Sequence, residues 1–152
     1  EKIYEAFYAD WSEGKAFMHS HTYAGNPLGC AAALAVLDIL DEENILEQAE
    51  NTAAWLTERL SETFGAHPNV GEIRHIGLIH ALELVEDRAE KRPFDSKRRL
   101  GYAIYRRALQ HGLLLRPLGD ILYFNPPLNI GRNDLETAME RMKLSMDEVL
   151  GA

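Results

Sequence analysis

Residues 19–30 combine two histidines, a hydroxyl group and a thiol just ahead of a run of small side chains. On a strand, His19 and His21 would point the same way and could share a metal ion. A metal site needs at least a third ligand, and no cluster of Cys, Asp or Glu accompanies them. The sequence therefore predicts that these histidines form hydrogen bonds near a loop and that the chain holds no metal site.

Thr22 is a candidate for contact with an anion. Asn26 and Pro27 predict a helix start, because Asn accepts hydrogen bonds from free backbone N–H groups and Pro has its φ preset. A hydroxyl ahead of a helix N-terminus can bind phosphate, since that end carries partial positive charge. The spacing equally allows the alternative, in which Thr22 only satisfies local backbone groups.

Arg116 ends an apolar run at a predicted tight turn, and Tyr123 lies on the other arm of the same predicted hairpin. A guanidinium held at a rigid strand end suits two-point binding of a carboxylate. The alternative is an ordinary surface arginine that covers the sheet edge. The chain contains no serine nucleophile elbow, Walker loop or dinucleotide-binding glycine pattern.

Cys30 is the single cysteine, so the chain cannot form an internal disulfide. A nucleophilic cysteine needs an activating base or an electropositive pocket. The small residues around Cys30 predict instead a packing thiol, on a helix thin enough to be buried on several sides.

The bulk properties limit the class of protein. A chain of 152 residues has the size of one ordinary domain. A net charge of -8 argues against a nucleic-acid or anionic-membrane surface. The absence of a signal-peptide pattern favours the cytoplasm. Because the first residues resemble the middle of a helix, we expect the chain to begin within a larger protein.

Hydrophobic periodicity predicts the order of helices and strands. Helices are expected over residues 27–41, 45–64, 95–112 and 133–150, with Asp95 or Ser96 as the cap of the third and Asn133 as the cap of the last. Strands are expected over residues 70–76, 78–85, 113–116 and 121–124. A type I turn at residues 116–119 would join the last two strands. Helices on one face of a small, mainly antiparallel sheet make an α+β fold.

Two motifs resemble a known family. Residues 19–33, HSHTYAGNPLGCAAA, resemble the HG-x-T-x-x-GNPL-x-CAAA signature of the class III, pyridoxal-phosphate-dependent aminotransferases. Residues 115–128, LRPLGDILYFNPPL, resemble the branch that converts 8-amino-7-oxononanoate to 7,8-diaminononanoate in biotin synthesis. Residues 71–74 and 82–85 echo a further family segment, so the resemblance spans essentially the whole chain and aligns it with the last third of such an enzyme.

The resemblance implies roles for five residues. His21 and Thr22 would contact the pyridoxal phosphate held by the partner subunit of a homodimer. Ser20, Arg116 and Tyr123 would contact the small-molecule keto and amino acid substrates, with Arg116 on the carboxylate. Ser20 stands where the family usually has glycine, so its Cβ could tighten the site.

The resemblance also implies a division of the chain and an absence. Residues 1–26 would be a remnant of the large cofactor-binding domain, and residues 27–152 a connecting helix with the small C-terminal domain. The lysine that binds the cofactor covalently would lie upstream of Glu1. A transaminase needs that amine to hold the cofactor and to move a proton. We therefore expect no catalytic residue here, and neither activity nor cofactor binding from the chain alone.

Two alternatives accompany this function. Another class III transaminase, acting on ω-amino acids or diamines, would share the first motif but not the second. The other alternative is a non-catalytic α+β interaction or dimerisation domain, which would bind neither cofactor nor substrate. The motifs also leave the amino donor open, either adenosylmethionine or lysine.

Overall fold

The computed structural model describes residues 1–18 and 22–151. The predictions that concern His19, Ser20 and His21 therefore lie outside the described residues. The chain divides into two units, Glu1–Asp38 and Ile39–Ala152. This boundary falls inside a helix, and the expected assignment of residues 1–26 and 27–152 to two parent domains stays a prediction.

The first unit contains helix α1 (Lys2–Phe7), a short 3-10 turn at Trp11–Glu13 and most of helix α2 (Pro27–Glu42). Helix α2 begins at the predicted residue, where Leu28 N donates to Asn26 Oδ1 at 3.2 Å. The predicted burial of Cys30 is wrong for this chain, since the thiol is exposed. A helix with small side chains is buried only where a second backbone packs against it. No residue of α2 is buried.

The second unit is a three-stranded antiparallel sheet with three helices. Helix α3 (Ile45–Phe64) leads into strands β1 (Val70–Ile76) and β2 (Ile79–Leu84), followed by helix α4 (Leu100–Gln110), strand β3 (Ile121–Phe124) and helix α5 (Arg132–Leu150). The strand order is β1-β2-β3. The predicted α+β fold with a small antiparallel sheet is confirmed.

A main hydrophobic core holds this unit together. Strand β2 buries alternate residues, His80, Leu82 and Leu84, as expected for a sheet with one covered face. The helices contribute a stripe at three- and four-residue spacing: Leu56, Leu60, Phe64, Leu100, Ile104, Ala108, Leu135, Met139, Met142 and Met146. Met139, Met142 and Met146 thus serve packing.

The hairpin differs from its prediction. Residues 113–116 form no strand, because Leu113 N donates to Ala108 O at 2.8 Å and ties this segment to the end of α4. Only an isolated bridge joins Leu118 to Ile121. The turn residues are 119 and 120 rather than 117 and 118, since Gly119 supplies the positive φ (60°) that a two-residue hairpin turn favours.

Two helix caps also differ from expectation. Asn133 does not cap α5, which begins one residue earlier at Arg132, after Gly131. Asp95 does act as a cap, with its Oδ1 accepting from Lys97 N at 3.0 Å, but the element it caps is the 3-10 turn Ser96–Arg98 rather than α4.

Among the described residues, no helix combines the length and apolar character needed to cross a bilayer.

Candidate functional site

Thr22 lies in a tight turn directly ahead of α2. Tyr23 (φ 63°) and Gly25 (φ 71°) both adopt the left-handed conformation, and Asn26 N closes the turn on Tyr23 O at 3.1 Å. Thr22 is exposed. Among residues 1–18 and 22–151 its hydroxyl has no hydrogen-bond partner, and both interpretations of Thr22 stay predictions.

The N-terminus of α2 is partly satisfied by its own residues. Pro27 has no N–H group, and Leu28 N is occupied by Asn26 Oδ1. An oxyanion near this helix would therefore depend on Thr22 more than on the first two residues of the helix. A phosphate oxygen that accepts from the Thr22 hydroxyl fits this arrangement.

Arg116 and Tyr123 lie on the two arms of one hairpin. Arg116 lies two residues before Leu118, and Tyr123 lies two residues after Ile121. The backbones of Leu118 and Ile121 exchange hydrogen bonds of 3.0 and 3.1 Å, which fixes the turn between the arms. The sequence prediction that this hairpin carries both side chains is confirmed, although one arm is not a strand.

Burial along the two arms separates core from surface. Leu115 and Leu122 are buried in the core, whereas Arg116 is exposed and Tyr123 is half-buried. The Arg116 guanidinium has no ion-pair or hydrogen-bond partner within the described part of the chain. It is therefore available for an external carboxylate, which it can bind through two N–H groups at once.

A shallow groove of about 340 Å³ runs beside Arg116. Its walls are largely apolar and aromatic: Tyr102, Tyr105, Leu114, Leu115 and Pro117. A cation beside an apolar groove suits a ligand with a hydrocarbon chain that ends in a carboxylate.

The residues that position this groove were not anticipated from the sequence. Asp120 Oδ1 accepts from Gly101 N, the second residue of α4, at 2.9 Å. Tyr102 follows Gly101 and faces the groove, with the Arg99 guanidinium 4.6 Å from its ring centroid. A glycine at the second position of a helix and an aspartate after a turn glycine were the available signals.

The described residues give no sign of a metal or covalent centre. Within the described ranges, residues 1–18 and 22–151, no three Cys, His, Asp or Glu side chains lie close enough together to bind a metal ion. Four lysines are exposed, at positions 2, 15, 91 and 97, and Lys143 is half-buried in an ion pair with Asp147 at 2.5 Å. These surroundings are those of surface lysines rather than of a lysine prepared for covalent chemistry.

Comparison with known proteins assigns the family. The model of the family described as aminotransferase class-III matches residues 1–146. The chain belongs to the class III aminotransferases. The family suggested by residues 19–33 is therefore confirmed, and this favours the two enzyme interpretations over an independent interaction domain.

Two class III aminotransferase relatives show the breadth of the match. An adenosylmethionine-8-amino-7-oxononanoate aminotransferase from Anoxybacillus flavithermus is 42% identical over 148 residues, covering 97% of this chain and 32% of the relative. A diaminobutyrate–2-oxoglutarate transaminase from Halomonas elongata is 36% identical over 154 residues, covering 100% of this chain and 33% of the relative.

A solved class III aminotransferase structure shows the same fold. The adenosylmethionine-8-amino-7-oxononanoate aminotransferase from Methanocaldococcus jannaschii matches with a TM-score of 0.82 and 31% identity, covering 97% of this chain and 33% of that chain. The chain thus spans about a third of the length of the proteins it matches.

Proposed function

We propose that the chain is the C-terminal part of a pyridoxal-phosphate-dependent aminotransferase that converts 8-amino-7-oxononanoate to 7,8-diaminononanoate in biotin synthesis. Arg116 carries this proposal. Its guanidinium is exposed, has no partner among the described residues and lies beside an apolar groove. A nine-carbon substrate with a terminal carboxylate matches that combination of charge and apolar surface.

Within this function, the chain recognises the substrate at its carboxylate end. Arg116 binds the carboxylate, and Tyr123, on the other arm of the hairpin, contributes a phenol at the edge of the substrate site. Ser20 completes the proposed set of substrate contacts. The apolar wall of the groove excludes water from the hydrocarbon chain of the substrate, which strengthens the ionic contact.

The residues ahead of α2 hold the cofactor phosphate. The Thr22 hydroxyl donates to a phosphate oxygen across a homodimer interface, and His21 is proposed as a second residue that binds the cofactor. When bound, pyridoxal phosphate supplies the electron-withdrawing ring on which amino groups are exchanged. The fit rests on the exposed Thr22 hydroxyl.

The chain by itself is proposed to be inactive and to bind no cofactor. The lysine required for covalent attachment is supplied by upstream sequence, and every lysine here has the surroundings of a surface residue. Mixing the purified chain with pyridoxal phosphate and substrates should give no new absorbance band and no turnover. The intact enzyme is proposed to act as a homodimer in the cytoplasm on small molecules.

A second candidate is a transaminase of another substrate class. The similarity to the Halomonas elongata diaminobutyrate–2-oxoglutarate transaminase supports this candidate. The two candidates differ in the length of the carbon chain that the groove must hold. Comparing kcat/KM for 8-amino-7-oxononanoate and for short diamino acids in the intact enzyme distinguishes them.

The substitution Arg116→Ala in the intact enzyme tests the main proposal. Loss of a charge-assisted contact should raise the KM for 8-amino-7-oxononanoate roughly 10- to 100-fold. The KM for the methyl ester of the same substrate should change little, because the ester offers no carboxylate. Arg116→Lys is the matched control, which keeps the charge but not the two-point geometry. Equal losses for acid and ester would refute the assigned role.

A further inference from the structure

We propose that Asp120 is the positioning residue for Arg116. Its carboxylate fastens the N-terminus of α4 to the hairpin turn and so sets the place from which the Arg116 guanidinium meets its ligand. This inference rests on the carboxylate-binding role proposed for Arg116.

The contact of Asp120 with α4 takes the place of an ordinary helix cap. Arg99 precedes the first residue of α4 and provides no side-chain cap. Asp120 Oδ1, from a turn 19 residues later in the chain, accepts instead from Gly101 N at 2.9 Å. A carboxylate at this end is also favoured by the partial positive charge of the helix N-terminus. The cap therefore doubles as a tertiary link between α4 and the turn.

The same two segments touch through their backbones. A Cβ added to Gly101 would lie 2.0 Å from Gly119 O and 3.1 Å from Pro117 Cβ. Pro117 is the residue after Arg116, so the contact that locates α4 also locates the backbone beside Arg116. The distance between helix and turn leaves no room for a side chain at residue 101.

The backbone is the main restraint on Arg116. No described side chain pairs with its guanidinium, and the segment that carries it is not a strand. The groove beside Arg116 is completed by Tyr102, which follows Gly101 on α4. Releasing Gly101 from Asp120 would thus loosen Arg116 and one wall of its groove together.

A second bond of Asp120 keeps the fold intact when the carboxylate is removed. Its main-chain oxygen accepts from Leu84 N at 2.9 Å, which attaches the turn to the end of β2. That bond is unaffected by substitution of the side chain. A change at Asp120 is therefore expected to alter the position of the turn relative to α4 more than its attachment to the sheet.

The test compares variants of the intact transaminase by the dissociation constant of nonanoate in calorimetry and by the KM for 8-amino-7-oxononanoate. Asp120→Ala should raise both about five- to tenfold, with kcat changed less than about twofold. Asp120→Asn keeps an acceptor for Gly101 N and should recover most of the affinity. In an Arg116→Ala background, Asp120→Ala should have a clearly smaller effect than in the wild-type background, because most of its influence acts through Arg116.

The possible failures are distinguishable. Wild-type affinity in Asp120→Ala, or effects of the two substitutions that multiply in the double variant, would overturn the positioning role. An Arg116→Ala variant with unchanged affinity would refute the proposed function instead. If Asp120→Ala does not fold, Asp120→Glu replaces it: the longer side chain displaces the turn, and unchanged nonanoate binding in that variant would contradict the inference.

Discussion

Thr57 Oγ1 lies 2.8 Å from Nε2 of the fully buried His80 and joins helix α3 to strand β2. The same hydroxyl lies 2.9 Å from Ala53 O, and His80 Nδ1 lies 3.2 Å from Leu78 O. These three contacts need three hydrogens, but a neutral imidazole and one hydroxyl supply only two. All three hydrogen bonds can form at once only when His80 is protonated, but burial in the core disfavours the positive charge of the protonated ring.

We expect this conflict to make folding sensitive to mild acid. Burial lowers the pKa of His80, and the nearby His75 lowers it further, while the Leu78 carbonyl raises it. A group whose pKa is lower in the folded state stabilises the fold above its unfolded pKa and loses that contribution as pH falls. The free energy of unfolding should therefore decline below about pH 6.5.

Urea denaturation of the chain between pH 5 and pH 8 measures this dependence. His80→Gln should flatten the decline relative to the wild type. His75→Gln, which changes the exposed ring stacked on His80 at 4.8 Å, is the matched control and should retain most of it. An identical decline in wild type and His80→Gln would contradict the prediction.

The Glu148 carboxyl should make the free energy of unfolding decline in a second, more acidic pH range. Hydrogen bonds from Arg107 and then His111, together with their charges, lower the pKa of its carboxyl to about 2. Its stabilising contribution is complete above the unfolded value and is lost as pH falls toward 2. Acid titration followed by circular dichroism should show Glu148→Gln losing part of this dependence. Glu140→Gln, on the exposed side of the same helix, should behave as the wild type.

Gly101→Ala should be strongly destabilising. The new methyl group would meet Gly119 O at 2.0 Å, well inside van der Waals contact, so the turn must move. Overpacking of this kind costs roughly 1–3 kcal/mol, which thermal unfolding detects readily. Gly29→Ala is the control, because a Cβ there meets only Asn26 Cβ at 4.0 Å. Equal melting temperatures for the two variants would rule out the proposed close contact.

Thr22 and Arg116 should affect different ligands in the intact enzyme. Thr22→Ala removes the donor proposed for the cofactor phosphate and should weaken retention of pyridoxal phosphate during dialysis. Arg116→Ala should instead raise the substrate KM and spare the cofactor. Thr22→Ser keeps the hydroxyl and serves as control. Cofactor loss of the same size in both alanine variants would contradict this division.

The chain alone should self-associate through its first unit. Ile3, Trp11 and Met18 are about four-fifths exposed or more, and α2 adds Leu28 and Leu34. Exposed apolar surface of this extent favours association. Light scattering should report oligomers for residues 1–152, and residues 39–152 should remain closer to monomeric. A monomeric full chain at high concentration would exclude such pairing.

Local patterns were sufficient to predict most elements of the second unit. The three- and four-residue spacing from Ile45 to Phe64 predicts α3, because that periodicity reflects one buried face, and the β-favouring run after Gly77 predicts β2. The start of α2 at Pro27 follows from the side chain of Asn26. These predictions need only neighbouring residues.

The errors arose where distant residues decide the structure. Leu113 is apolar enough for a strand, but its N–H bonds to the end of α4. Gly119 rather than Pro117 determines the turn, because strand twist favours a positive φ there. Asp120 caps a helix that begins 20 residues earlier, so the glycine and aspartate of the turn are visible locally but their pairing with α4 is not.

The crossing of Gly101 over Gly119 also bears on how such an enzyme could be redesigned. A contact made by two backbones has no side chain to exchange, so any side chain at residue 101 must displace the Gly119 carbonyl, whereas residue 119 faces open space and is restricted by its positive φ. The walls of the groove are different, since Leu114 and Tyr102 are exposed and can be replaced without touching the crossing. Variants intended to accept substrates of another length should therefore change those two positions and leave Gly101 and Gly119 unchanged.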